Sequence, residues 1–276
     1  MKVYANAKIN IGLNIVEKRA DNYHNIESLF YPVHFLYDDL EILPSHALEK
    51  GHAVLTDAGI QTEADQNNNL VMKAFHKLSG LFEIPGSEIR LIKNIPVGAG
   101  LGGGSSDAAF TIKVLNELYD LHLSDFQMEA ILAELGADCP FFVKNAPVFA
   151  TGTGNVFTQF DAVLKSKWLL LVKPDIHVST KMAYAGVVPA KPVRNLMQDL
   201  TLALNQWKDL VKNDFEVSVF QQFPLIGQLK DSMYENGAIY ASMSGSGSSV
   251  YGIFEQDPVE LLKTFENYQA FSGQLQ

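Results

Sequence analysis

The chain has 276 residues, 47% of them hydrophobic and 19% charged, enough to bury a real core in one large or two modest domains. Its formal net charge of −10, with 31 acids against 21 bases and no basic cluster, argues against a general nucleic-acid partner. The longest aliphatic run, Trp168 to Val172, is too short to cross a bilayer, and the single cysteine, Cys139, excludes an internal disulfide and fits a reducing compartment.

The first residues, Met1 to Lys8, lack the apolar core of a secretory signal, so the expected location is the cytoplasm. Ala7 to Val16 alternates Ile9, Ile11, Leu13 and Ile15 with Lys8, Asn10, Gly12 and Asn14, the period of a strand with one polar face. Lys8 and Asn10 share that face, which on local grounds reads as solvated. Leu29 to Leu43 reads as further strand, Asn69 to Leu81 as a helix, and Ile89 to Ile92 as a half-buried strand.

Next comes a dense run: Pro96, Val97, Gly98, Ala99, Gly100, Leu101, Gly102, Gly103, Gly104, Ser105 and Ser106. Glycines let backbone amides turn toward an anion and let that anion approach closely. From Ser106 onward, Ala108, Ile112, Leu115 and Tyr119 recur at helical spacing, so the run delivers its ligand to the open amides of a helix N-terminus. Strand, glycine loop and helix together predict a phosphate site.

Several loop types compete for this pattern. A P-loop needs Lys directly before Ser or Thr, whereas Gly104 precedes Ser105 and the next lysine is Lys113. Gly98 to Gly103 satisfies G-x-G-x-x-G, but a dinucleotide fold requires a strand after the helix. Asp120 to Gln127 instead reads as a turn into another helix, with Ser124 and Gln127 spaced as a capping box. A flexible linker rarely sits tightly between a strand and an amphipathic helix. An acidic chain that binds polyphosphate also needs local positive potential, for which Lys8 and Lys93 are the candidate side chains.

That next helix runs from Ser124 to Leu135 and stops at Gly136. Asp138 follows, before Cys139-Pro140, where it reads equally as a buried carboxylate or a turn residue. The second half opens with a strand from Trp168, then helical segments over Met197 to Lys212 and Ile226 to Asn236. Ser244 to Ser249 is a second glycine-serine run before a strand, Val250 to Phe254, and its bland alternative is a tight hairpin turn. No period of 20 to 50 residues recurs, and the irregular mixture of strands and helices predicts an α+β fold.

Together these segments resemble the GHMP kinase superfamily, which includes galactokinase, homoserine kinase and mevalonate kinase. Pro96 to Ser106 is similar to its central P-x-x-x-G-L-G-S/G-S-S motif, Lys8-Ile9-Asn10 to its N-terminal strand motif, and Met243 to Gly247 to its third glycine motif. Within the superfamily, Ala7 to Asn10, Lys18 to His24, Gly102 to Asp107 and Gly136 to Phe142 resemble the branch acting on a cytidine diphosphate derivative in the non-mevalonate route to isoprenoids. Departures are small: Asn22 stands where Gly is usual, and Ser244 and Ser246 where Thr is common.

The resemblance implies a two-domain fold, with an N-terminal ribosomal-protein-S5-like domain over 1–155, a C-terminal ferredoxin-like domain over 156–276, and the active site in the cleft between. It implies an ATP-dependent kinase using Mg²⁺, with metal ligands unassigned, no membrane or nucleic-acid partner, and no indicated oligomeric partner. Asp138 is then the base that takes the proton of a tertiary hydroxyl, and Lys8 the cation that pairs with it and steadies the transferred group. Pro96 to Ser106 hold the ATP phosphates, with Asn69 and Lys93 at the adenine end. Tyr23, His24 and Tyr184 surround the cytosine, Asn10 hydrogen-bonds the acceptor, and Thr180 meets phosphate. Alternatives are a mevalonate- or homoserine-type kinase, whose small acidic substrate calls for a cationic clamp, or a nucleotide-binding regulator that has lost catalysis.

Overall fold

A computed structural model describes residues 1–60, 68–161 and 164–276. By packing, the chain divides into two compact units, one of residues 1–7, 36–97 and 102–146, the other of residues 8–35, 98–101 and 147–276. Two long strands, β1 (Lys2–Lys18) and β2 (His24–Pro44), contribute residues to both.

In the first unit, the later part of β2 pairs antiparallel with β4 (Ser87–Lys93), which pairs in parallel with β3 (Ala53–Gly59). The predicted alternation in β4 is observed: Ile89, Leu91 and Lys93 point inward, and Glu88, Arg90 and Ile92 outward. The predicted helix from Asn69 is α1 (Leu70–Ser79), whose buried residues Val71, Ala74, Phe75 and Leu78 lie on the side packed against α2 (Gly103–Leu118). That second helix begins three residues before the expected start, because Gly103 to Ser105 already take helical geometry. The capping box holds in α3 (Asp125–Ala133), where Ser124 and Gln127 satisfy each other's backbone amides, worth about 1 kcal/mol. A short helix, α4 (Phe141–Lys144), follows the turn that carries Asp138.

In the second unit, the early part of β2 pairs antiparallel with β5 (Val148–Thr151), which pairs with β6 (Val156–Gln159). Among the described residues a further antiparallel sheet has the order β10 (Gln269–Gln274), β7 (Trp168–Lys173), β9 (Val250–Phe254), β8 (Tyr240–Met243). A core of Leu13, Ile15, Leu170, Val172, Phe215 and Ile226 joins β1, this sheet and the helices upon it. Burying each such side chain contributes about 1.5–3 kcal/mol.

The helices of this unit are α5 (Thr180–Ala185), α6 (Leu196–Asp199), α7 (Trp207–Leu210), α8 (Phe215–Gln222) and α9 (Pro224–Glu235). The helical segments expected over Met197 to Lys212 are short, at 196–199 and 204–210. Thr201 donates its hydroxyl to the Gln198 carbonyl at 2.8 Å and the Trp207 indole takes the Leu202 carbonyl at 3.2 Å, so side chains capture carbonyls that a longer helix would use itself.

Candidate active site

Gly102 caps α2 in the left-handed region (φ 70°) and has no side chain to accept the first helical amides. Those amides therefore remain available to an anion at the positive end of a 16-residue helix. Gly104 is exposed and Ser105 half-buried, whereas Ser106 is fully buried and its hydroxyl has no hydrogen-bond partner among the described residues. Of the two serines expected to meet phosphate, Ser105 is accessible and Ser106 faces inward.

Residues 98–101 belong to the second unit, where they meet the second glycine-serine run. That run is the connection of a hairpin, with Met243 opposite Val250 across β8 and β9, but at six residues it is no tight turn. Ser244 Oγ donates to the Gly100 carbonyl at 2.8 Å, and the Ser249 amide donates to the Ala99 carbonyl at 3.2 Å. Gly100 has φ +77°, and a Cβ there would lie 2.0 Å from the Ser244 carbonyl oxygen, so this position requires glycine.

The polar face of β1 is not solvated: Lys8 and Asn10 are only 3% and 2% exposed. The strand is buried continuously from Ala5 to Leu13, and Lys8 and Asn10 are each hydrogen-bonded within the second unit. Lys8 Nζ donates to Asn10 Oδ1 at 2.5 Å and sits 4.5 Å from the centre of the Phe30 ring. Asn10 donates through Nδ2 to Ser28 Oγ at 3.0 Å, and its backbone amide donates to Ser244 Oγ at 3.2 Å. Ser244 thus touches both the strand motif and the first glycine run.

Lys93 has a different environment from the one expected of a residue at the adenine end. Its ammonium binds Asp38 and, at 2.6 Å, Asp107, with all three side chains buried. Burial opposes the charge on Lys93, but the two carboxylates outweigh it and hold the lysine above its ordinary value. Burial pushes Asp107 up to about 7, with Lys93 opposing and Asp38 adding to the rise. Asp38 Oδ1 accepts the amides of Asn94 and Ile95 at 2.6 and 2.8 Å, tying the cluster to the chain entering the glycine run. The Lys93 charge is therefore neutralised inside the unit and does not supply the expected local positive potential.

Asn69 is the N-cap of α1, accepting the Val71 amide at 2.9 Å. Asp138 stands half-buried in the turn before α4, in the first unit, while Lys8 lies in the second. Beside it, burial pushes the Cys139 thiol up to about 11, against a hydrogen bond with Ser105. Thr180 opens α5, its hydroxyl 3.5 Å from that of Ser246. His24 stacks on Tyr184, with ring centroids 4.6 Å apart and planes at 20°, and Phe215 meets Tyr184 edge-on at 4.9 Å. Burial lowers the His24 pKa, Lys18 adding to the effect. Tyr23 is 66% exposed, in a turn where Asp21 accepts the Tyr23 amide at 3.1 Å and Asn22 takes φ 65°, the left-handed geometry that asparagine tolerates in place of glycine. Sequence reasoning missed Asp38, Asp107, Ser28 and Asn213, each of which holds an expected residue or its backbone from behind.

The family model of the GHMP kinases N-terminal domain matches residues 69–145, and that of the GHMP kinases C-terminal region matches residues 194–267. The chain belongs to the GHMP kinase family, and the expected α+β fold is the fold of that family; it is an ATP-dependent kinase. Among its relatives, the 4-diphosphocytidyl-2-C-methyl-D-erythritol kinase of Parabacteroides distasonis is 52% identical over 93% of this chain and 92% of its own. The enzyme of that name from Bacteroides fragilis is 47% identical over the whole of both chains. A crystal structure of 4-(cytidine 5'-diphospho)-2C-methyl-D-erythritol kinase superposes with a TM-score of 0.79 at 30% identity, covering 100% of this chain and 99% of that one. The Methanococcus jannaschii mevalonate kinase shares the fold, with a TM-score of 0.73 at 14% identity over 100% and 98% of the two chains. Among the described residues no helix is long and apolar enough to cross a membrane.

Proposed function

We infer that this chain transfers the γ-phosphoryl group of ATP to the tertiary 2-hydroxyl of 4-diphosphocytidyl-2-C-methyl-D-erythritol, in the non-mevalonate route to isoprenoid precursors. The observation that carries this reading is identity of 47–52% over nearly the full length to kinases of that acceptor. The purified chain should release ADP from ATP only when that acceptor is present. Absence of turnover with ATP, Mg²⁺ and acceptor would overturn the reading.

In the mechanism, the open amides of Gly103, Gly104 and Ser105 take the ATP phosphates, and the preceding loop from Pro96 shapes their approach. Asp138 accepts the hydroxyl proton as the acceptor oxygen forms its bond to the γ-phosphorus. The bond from that phosphorus to the bridging oxygen then breaks, and ADP leaves. Lys8, held by Asn10, steadies the charge on the transferred group. The stacked pair of His24 and Tyr184 offers cytosine an outer ring face, since their facing sides cover each other, with Tyr23 beside them, and Thr180 with Ser246 offers hydroxyls to the acceptor's diphosphate. Asn69 and the Lys93 segment border the adenine.

Among the described residues no group of three or more His, Cys, Asp or Glu side chains forms a metal site of its own. This fits Mg²⁺ arriving on the nucleotide, since that ion keeps several waters and binds largely through substrate phosphates. It would neutralise phosphate charge during transfer. Residues 1–155 are assigned to ATP binding and catalysis and also bring Asn10, Tyr23 and His24 to the acceptor, while 156–276 complete the acceptor site, with the cytoplasm as the place of work.

A further inference from the structure

Behind the hairpin of the second glycine run lies Asn213, a buried side chain to which neither the proposed mechanism nor the sequence patterns give a role. Its Nδ2 donates to the carbonyls of both Met243 and Gly245, each at 2.8 Å, and its Oδ1 accepts the Phe215 amide at 3.0 Å. The two carbonyls flank Ser244. One amide group thus pins the backbone on either side of the residue that reaches both Asn10 and Gly100.

The segment around Asn213 is itself fixed to β1. The Leu13 amide donates to the Lys212 carbonyl and the Asp214 amide to the Leu13 carbonyl, each at 2.8 Å, while Asp214 accepts the Ile15 amide at 2.7 Å. Two residues on, Glu216 accepts the Met243 amide at 2.9 Å and the Ser242 hydroxyl at 3.0 Å. Phe215, between them, supports Tyr184 edge-on. The path from Asn213 to Lys8 runs through its hydrogen bonds to the Met243 and Gly245 carbonyls, the backbone of Ser244 between them, and the hydrogen bonds of Asn10 to Ser244 and of Lys8 to Asn10, all buried, where a lost donor is not replaced by water.

We propose that Asn213 is a positioning residue for phosphoryl transfer: by holding the carbonyls of Met243 and Gly245 it sets Ser244, and through Ser244 the placement of Asn10 with Lys8 and of Gly100. The effect falls on the chemical step, because small misplacements of reacting and charge-stabilising groups cost far more in rate than in binding. This inference rests on the phosphotransfer reading, so its test includes a measurement that needs no acceptor.

The test compares Asn213→Ala and Asn213→Asp with Asn116→Ala. Asn116 is a matched control in the first unit, where it likewise bonds backbone groups, those of Leu123. Per folded molecule, Asn213→Ala should lower kcat about tenfold or more with the KM for ATP within about threefold. Asn213→Asp keeps the shape and the bond to the Phe215 amide but turns a carboxylate on two carbonyls, so it should be worse than Ala, whereas a packing role alone makes it the milder change. Asn116→Ala should lower Tm and leave kcat within about twofold. Without any acceptor, amide hydrogen exchange at Asn10 should accelerate in Asn213→Ala while that at Ile95 is unchanged. A kcat per folded molecule within about twofold of the parent in both Asn213 variants overturns the proposal, as does unchanged exchange at Asn10. If the parent shows no turnover with the acceptor, the functional reading fails and the exchange measurement alone decides on Asn213.

Discussion

Lys93 Nζ lies 2.6 Å from a carboxylate oxygen of Asp107, and the same ammonium is bound by Asp38, so two buried acids share one buried base. Once pH exceeds about 7 and Asp107 is ionised, the cluster carries an excess negative charge just behind the first turn of α2. Removing the cation leaves two buried carboxylates facing each other, so Lys93→Met should cost about 3–5 kcal/mol of stability. Asp107→Asn leaves a neutral Lys93–Asp38 pair and should cost far less. Urea denaturation of both variants gives the comparison, and an equal or smaller loss in Lys93→Met would rule out this account of the cluster.

The same carboxyl makes stability depend on pH in a direction unlike that of an exposed ion pair. Because burial raises Asp107 from 3.8 in the unfolded chain to about 7, the folded state holds this proton more tightly. Its stabilising contribution is full below 3.8 and is lost as pH rises through about 7. The raised Lys93 contributes a term that stays constant until well into the alkaline range. The stability of the parent minus that of Asp107→Asn should therefore fall between pH 4 and pH 7 and level off above, in thermal melts at matched ionic strength. A constant difference across that interval means that Asp107 does not titrate there.

Asp138→Asn keeps the shape of the side chain and removes its ability to take a proton. Turnover should fall by about 10²- to 10⁴-fold, while affinity for ATP stays within a few-fold. Steady-state rates and nucleotide binding by calorimetry separate the two quantities. Retained kcat would move the role of base to another group.

Within the glycine run, positions 100 and 104 make opposite demands. An alanine Cβ at Gly100 would fall 2.0 Å from the Ser244 carbonyl oxygen in a left-handed backbone, whereas at Gly104 the nearest atom is Leu70 Cδ1 at an ordinary 3.6 Å. Gly100→Ala should therefore lower Tm by several degrees and abolish most activity, and Gly104→Ala should leave Tm within about 2 °C, since surface helical positions change stability little. Melting curves and ADP release for the two variants check this, and equal effects would show that the loop relaxes freely.

Much of the architecture is legible in local patterns, because the strand alternation in Ile89 to Lys93 and the capping box at Ser124 and Gln127 depend only on near neighbours. Parity also places two buried charges. Asp38 is in phase with the buried Leu36, Leu40 and Ile42, and Lys93 with Ile89 and Leu91, so each could have been placed inward from the sequence. The burial of Lys8 and Asn10 was not legible, because it depends on Ser28 and Ser244, one of them more than 200 residues away. Asn213 is legible only in part: its turn onto the Phe215 amide is local, but the two carbonyls it holds lie 30 and 32 residues ahead in another element. The brevity of the helical segments between Met197 and Lys212 was not legible, since apolar spacing says nothing of side chains that compete for backbone carbonyls.

The contact of Ser244 with Gly100 bears on how a blocking compound would fare over time. A molecule wedged against the backbone at Gly100 presses on a position where no other residue fits, since any side chain collides with the carbonyl at 2.0 Å. Escape by exchanging that residue is closed, and a compensating change at Ser244 would disturb the bonds to Asn10 and Gly100 together. A drug-resistant lineage would have to change elsewhere, around the mouth of the loop, at residues such as the exposed Val97.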